Sequence, residues 1–338
     1  MKLLILGGTG VISSQIVKKA LEKGFDVTIF NRGKKASGID PLVNEIYGDR
    51  HNTDDFAEKF KSFSVDVVID MICFDKKDAQ QTLEVFGNRA KQIIFTSSIA
   101  AYQRPYKSYP MEEDKETLLT CPDFAYGYHK AQMDEYLQSQ MGQVAAAITI
   151  LRPSLTFGDG TANLGILRQN RNLVRRIKQG KPVVMIGEGN IPWSFSFAGD
   201  VANAFVLACG NEKTYNECFH VTNTEVVTWE SLYLSIGSAV GNQPKMAYIP
   251  TVLLKEVYPE VCAHLYHEKV HFSVFSNTKF QKAAPEYQPS ITLQEGIRSL
   301  VQWWENNDFP FDDAKDELED NLCEVYDRFR KELMVFKV

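Results

Sequence analysis

Long apolar runs are missing at the start of this sequence. The first is Leu3–Leu6, closed by Gly7-Gly8. That is too short for the apolar region of a signal peptide and far too short to span a bilayer, and no later stretch approaches a span. Paired cysteines are also missing. Cys73, Cys121, Cys209, Cys218, Cys262 and Cys323 are scattered and form no C-x-x-C, so neither a zinc site nor a disulfide framework is expected, and reduced thiols in a cytoplasmic protein are. Positive charge is not in excess: 37 Lys and Arg against 43 Asp and Glu leave a net charge of −6. Nucleic-acid binding is therefore not expected. No Gly-x-Ser-x-Gly elbow occurs, and His264-x-x-His267 has no third ligand nearby, so neither a hydrolase nor a metal site is expected.

What remains is globular. Of 338 residues, 44% are hydrophobic and 24% charged, enough for two domains, or one with a lobe. The first half alternates apolar runs (2–6, 26–30, 45–47, 65–72, 92–95) with helical patterns (15–23, 54–63, 78–90). Strands apolar on both faces with helices between them mark an α/β fold with a doubly wound parallel sheet, whose ligands bind at the C-terminal strand ends. Further on, helices are expected at 125–140, 167–179, 200–207, 229–240 and 293–304, and strands at 145–151 and 183–186. The helix at 167–179 is basic and could supply diphosphate contacts. The tail from Asp312 is charged and helical in pattern.

Strand one runs into Gly7-Gly8-Thr9-Gly10-Val11-Ile12-Ser13. A strand–loop–helix of this kind aims backbone N–H groups and the helix dipole at a pyrophosphate. Gly7 serves the tight turn and Gly10 the close approach, and Ser13 stands where the dinucleotide fingerprint has a third glycine. At the end of strand two a carboxylate would favour NAD. Here the chain reads Asn31-Arg32-Gly33-Lys34-Lys35, cations that suit a 2′-phosphate, so the cofactor expected is NADP or NAD with a lean to NADP. Asp49 and Arg50, after strand three, are placed to hold the adenine.

Tyr126 and Lys130 are spaced i, i+4 and share a helix face. An ammonium beside a phenol favours the phenolate and can also reach ribose hydroxyls. Ser98 lies 28 residues earlier, at the end of strand five. Ser98, Tyr126 and Lys130 would converge on one carbonyl or hydroxyl oxygen, Tyr126 as acid or base, Ser98 steadying the oxygen and Lys130 orienting.

The glycine loop, Thr96-Ser97-Ser98, Tyr126–Lys130, Leu151-Arg152-Pro153 and Ser196–Ala202, in this order, make the chain resemble the extended short-chain dehydrogenase/reductases of the NAD-dependent epimerase/dehydratase family, over about residues 1–305. The resemblance implies a Rossmann domain at 1–153 and a smaller C-terminal substrate-binding lobe at 154–338, with some segments returning to the core. It also implies Met71, Ile72, Pro153 and Ser154 beside the cofactor, and often a homodimer. Cys73 and Trp193 join Ser98 as substrate candidates, Trp193 standing where sugar-nucleotide epimerases often carry an arginine. Family members that eliminate water carry Asp-Glu directly after the Ser98 position, where this chain has Ile99-Ala100. The expected function is an NAD(P)-dependent epimerase of a sugar or sugar nucleotide acting through a transient keto intermediate. The alternatives are an NADP-dependent carbonyl reductase or dehydrogenase, and a non-catalytic RNA- or cofactor-sensing protein of the same fold.

Overall fold

The computed structural model of the chain describes residues 1–33 and 40–337. The chain divides into two compact units. The first comprises Met1–Thr156, Ser196–Thr224 and Phe275–Ser290, and the second Phe157–Phe195, Glu225–Val274 and Ile291–Val338. Two segments beyond residue 156 thus return to the first unit.

The first unit is built on strands β1 (Lys2–Leu6), β2 (Asp26–Asn31), β3 (Asn44–Tyr47), β4 (Val67–Asp70), β5 (Gln92–Thr96) and β6 (Ala147–Arg152). With the strand Glu217–His220 they form a seven-stranded sheet in the order Glu217–His220, β6, β5, β4, β1, β2, β3, and every pairing is parallel. Helices α1 (Val11–Glu22), α2 (Thr53–Phe60), α3 (Lys76–Phe86) and α4 (Ala125–Gln140) follow β1, β3, β4 and β5. Alternation along β1 shows why its sequence is apolar throughout. Leu3 and Ile5 pack with Ile16, Val17 and Ala20 of α1, whereas Leu4 and Leu6 pack with Phe56, Phe60 and Phe86 of α2 and α3. Each such side chain contributes about 1.5–3 kcal/mol by leaving water, so both sheet faces are closed and the strand ends are left for chemistry. The strand Glu217–His220, read Glu-Cys-Phe-His, carries too little apolar pattern to stand out in the sequence.

In the second unit Pro182–Ile186 pairs in parallel with Lys245–Ile249, and helices Trp229–Val240, Leu293–Asn306 and Asp313–Leu333 complete the packing. The basic helix begins at Asn172, five residues later than its pattern suggests, and ends at Lys178. The segment before it is a turn: Arg168 takes a left-handed φ of 57°, and the Gln169 side-chain oxygen accepts the Leu167 N–H at 2.9 Å. The basic side chains are not open to a diphosphate. Arg176, fully buried, meets Asp320 at 2.7 Å and Glu319 at 3.5 Å, Arg175 meets Asp316 at 2.5 Å, Lys178 pairs with Glu305, and Arg171 and Arg175 stack on Phe311. The acidic tail is thus the partner of this helix. Burial pushes the Glu319 carboxyl up to about 7 despite Arg176. Among the described residues no helix is long and apolar enough to cross a membrane.

Candidate active site

The loop after β1 needs its glycines. Gly7 and Gly8 have φ of +104° and +66°, and a Cβ on Gly8 would lie 2.7 Å from the Ile29 side chain. Gly10 is exposed and extended, and it caps α1. Ser13, read from sequence as a small stand-in for glycine, has a job of its own: its Oγ accepts the Gly10 N–H at 2.8 Å. Thr9, Val11 and Ile12 are half-buried at the mouth of the loop. The first turn of α1 carries no acid, so the dipole at this end is uncompensated and the N–H groups of Val11 and Ile12 have no intrahelical acceptor. These exposed N–H groups, on a loop whose glycines leave no room for side chains, fit a dinucleotide pyrophosphate.

At the end of β2, Asn31 turns the chain by accepting the Gly33 N–H at 2.6 Å. A carboxylate does stand here, but it comes from β3: Glu45 accepts from the Asn31 amide at 3.1 Å. The register pairs Glu45 with Ile29, an adjacency that only the sheet reveals. Arg32 is exposed, and Lys34 and Lys35 lie outside the described residues.

Asp49 is exposed and accepts the His51 N–H. Arg50 does not face outward. It is 4% exposed, and its guanidinium bonds Asp70, the Ile72 and Asp78 carbonyls, Thr82 and Gln81. All its N–H groups are committed to tying the end of β4 to α3, so none is left to hold an adenine. Met71 accepts a hydrogen bond from the Thr96 hydroxyl through its sulfur, and Ile72 lies against Gly7. Cys73 is fully buried and burial pushes its thiol well up. Only its carbonyl serves the site.

That carbonyl holds Lys130. The ammonium donates to Cys73 O at 2.6 Å and to Thr96 O at 2.7 Å, so it clamps α4 across the ends of β4 and β5. It lies 5.2 Å from the ring centroid of Phe74, an exposed aromatic that the sequence reading passed over. Gly127 allows a second close approach, since a Cβ there would sit 2.5 Å from Ala100 O. Thr96 lies two residues before Ser98 and Ala100 two residues after, so these contacts press the first turns of α4 against the Ser98 turn. Ser98 Oγ caps that turn by accepting the Ala100 N–H at 3.1 Å. Tyr126 is 46% exposed at the start of α4, its ring edge-on to Phe124 at 6.3 Å, whereas Tyr128 is half-buried against a core cluster that includes Leu119 and Ala131. Pro153 O accepts the Ile99 N–H, and the Ser154 and Ser196 hydroxyls are 2.7 Å apart.

A buried polar network braces the Ser98 loop. Arg152 bonds Asp134 and the Tyr102 hydroxyl, both at 2.7 Å, and Tyr102 bonds His220 at 2.7 Å. Burial, then Arg152, push His220 down to about 3, so it is neutral. Trp193 belongs to the second unit. It is 1% exposed and packs on Trp229 at 5.0 Å between ring centroids, a core position and not an open stacking platform.

The family model described as "NAD dependent epimerase/dehydratase family" matches residues 3–218. The chain belongs to this family. Among curated relatives it is similar to the 2′-dehydrokanamycin reductase of Streptomyces kanamyceticus, with 21% identity over 85% of this chain and 80% of that protein. It is likewise similar to the chloroplast stem-loop binding protein of 41 kDa b of Arabidopsis thaliana, with 24% identity over 88% and 77%. The UDP-glucose 4-epimerase of Thermotoga maritima, solved with UDP-glucose, superposes with a TM-score of 0.71 at 19% identity, covering 91% of this chain and all of that one. That likeness establishes the fold. The protein is accordingly an NAD(P)-binding enzyme of the epimerase, dehydratase and reductase group.

Proposed function

We propose that the protein epimerises a carbinol centre of a sugar or sugar nucleotide. The observation that supports this reading is Lys130 of α4 held between the carbonyls past the C-terminal ends of β4 and β5, with Tyr126 on the same helix and Ser98 on the turn that follows β5. A nicotinamide bound there supplies reversible hydride exchange with the carbinol carbon, through a keto form of the sugar. Gly7–Ile12 would hold its pyrophosphate, Asn31 and Arg32 its adenosine ribose, Asp49 its adenine, and Met71, Ile72 and Pro153 would flank it. The protein's own residues move the proton. Tyr126, exposed, takes the proton of the substrate hydroxyl and later returns it. Ser98 has one lone pair engaged by the Ala100 N–H, which leaves its O–H to donate to the same oxygen. Lys130 keeps one N–H beyond its two carbonyl bonds, enough to orient a ribose hydroxyl or the phenol oxygen.

For the cofactor we favour NADP. Glu45 is occupied by Asn31, whereas Arg32 is exposed and available to a 2′-phosphate. A charge-assisted contact of this kind is worth about 1.5–3 kcal/mol, or roughly 10–150-fold in affinity. Dissociation constants for NADP and NAD should show tighter NADP binding by the wild type, and Arg32→Ala should weaken NADP by that factor while leaving NAD unchanged. Tighter binding of NAD by the wild type would refute this assignment.

The reaction should stop short of water elimination. Ile99–Ala101 after Ser98 is a buried apolar turn. The three nearest downstream acids are occupied elsewhere: Glu112 pairs with Lys115, Glu113 is buried and accepts the His220 N–H at 2.7 Å, and Asp114 faces Lys279. Incubation with nucleotide-diphosphate hexoses and cofactor, followed by mass spectrometry, should give a product of unchanged mass and altered retention. A product lighter by one water would overturn the reading, and stoichiometric consumption of cofactor would make the protein a reductase.

A further inference from the structure

Two buried indole N–H groups of the second unit lack acceptors, and a buried lysine lies against one of the two rings. Lys269 is 5% exposed. Its ammonium lies 4.5 Å from the ring centroid of Trp229 and has no hydrogen-bond or ion-pair acceptor among the described residues. Trp193 and Trp229 are 1% and 0% exposed, and the indole N–H of each is likewise without a partner. The segments that carry them converge: Trp193 packs on Trp229, and the Ser273 N–H donates to Pro192 O at 2.9 Å. Lys269 ends a single π turn, Leu265–Lys269, a geometry that is rare and frequent at functional positions.

Such an arrangement is costly as plain core. A buried ammonium facing a π cloud regains part of its lost hydration, but not hydrogen bonds. Burial pushes it down to about 8, with Glu268 opposing and Arg168 adding to the shift. Arg168 places a second, exposed cation close by. Lys269 and the two indole N–H groups, with no carboxylate bonded to Lys269 among the described residues, suit oxygen atoms bearing negative charge.

The geometry points to an oxyanion-binding site formed by Lys269, Trp193 and Trp229, with Arg168 at its rim, which receives the phosphate or carboxylate group of a ligand. The site itself stands on these donors alone; naming the ligand as the anionic part of a sugar nucleotide or sugar acid rests on the proposed function. Lys269 is here a binding residue, and the indoles fix the orientation of the anion.

The test needs neither cofactor nor turnover, and the two tryptophans report on it. Wild-type protein is titrated with inorganic phosphate, uridine diphosphate and glucuronate while tryptophan fluorescence is followed. A saturable change with at least one of the three is expected, and the ligand that gives it identifies phosphate or carboxylate as the group bound. Lys269→Met should weaken that binding by at least about tenfold, and Trp193→Phe, which keeps the ring packing, by roughly three- to tenfold. Without ligand, Lys269→Met should unfold at a higher temperature than the wild type at pH 7. That advantage should shrink as the pH rises from about 8 toward the free-lysine value near 10.4, because the wild-type ammonium is then lost. No saturable change with any of the three, or equal affinity in Lys269→Met, would overturn the site. Tyr126→Phe should bind the anion as the wild type does, so failure of the anion site and failure of the epimerase reading give different results.

Discussion

Replacing Tyr126 by phenylalanine is expected to cut turnover by about 10²–10⁴-fold, the usual cost of losing a positioned acid–base group. The ring is 46% exposed, so losing one hydroxyl should leave folding intact. The proposed cofactor cradle lies in the loop after β1, away from the Tyr126 hydroxyl, so NAD(P) affinity should change little. The expected signature is a fall in kcat with dissociation constant and Tm near wild type. Tyr128→Phe is the control: Tyr128 is half-buried against a core cluster, and its variant should turn over near the wild-type rate. Full activity in Tyr126→Phe with loss in Tyr128→Phe would move the catalytic role two residues along α4.

The second large effect concerns stability. Arg50→Met should destabilise the first unit by about 3–5 kcal/mol, because it strands a buried carboxylate. Asp70 is fully buried. It accepts from Arg50 at 3.1 Å, from the Thr82 hydroxyl at 2.6 Å and from the Ile72 N–H at 3.1 Å. The same substitution frees the Ile72 and Asp78 carbonyls that frame the end of β4. For a unit of this size the loss should lower Tm by roughly 6–20 °C. Adding Asp70→Asn should recover part of it, since the stranded charge is then gone. An outward adenine contact would behave differently: Arg50→Met would keep the wild-type Tm and lose only cofactor affinity. Calorimetry of the single and double variants separates the two.

These two residues show what the sequence could and could not carry. The parallel sheet, the glycine loop and the Tyr126–Lys130 helix were legible because each is written locally, as apolar runs, as glycines before a helix, or as an i, i+4 spacing. Arg50 was misjudged because its partners lie 20 to 32 residues away on β4 and α3. Glu45 was missed for the same reason: it reaches Asn31 from the neighbouring strand, and sheet register is not visible along the chain. The basic helix shows the limit of reading charge alone, because its acidic partners lie more than a hundred residues away in the tail. Phe74 carried a weak signal, an aromatic just past Met71-Ile72-Cys73. Lys269 and Trp229 carried none, and Trp193 stood out only by its place in the family pattern, because an unmet hydrogen bond exists only in the folded protein.

The central claim, proton movement by Tyr126 during inversion of a carbinol carbon, is tested most directly with a nucleotide-diphosphate hexose deuterated at the reacting carbon. Wild-type protein with catalytic amounts of cofactor is predicted to give the epimer with deuterium retained and no net cofactor consumption, and Tyr126→Phe to give almost none. Deuterium lost to solvent, a product lighter by one water, or equal turnover by Tyr126→Phe would contradict the account.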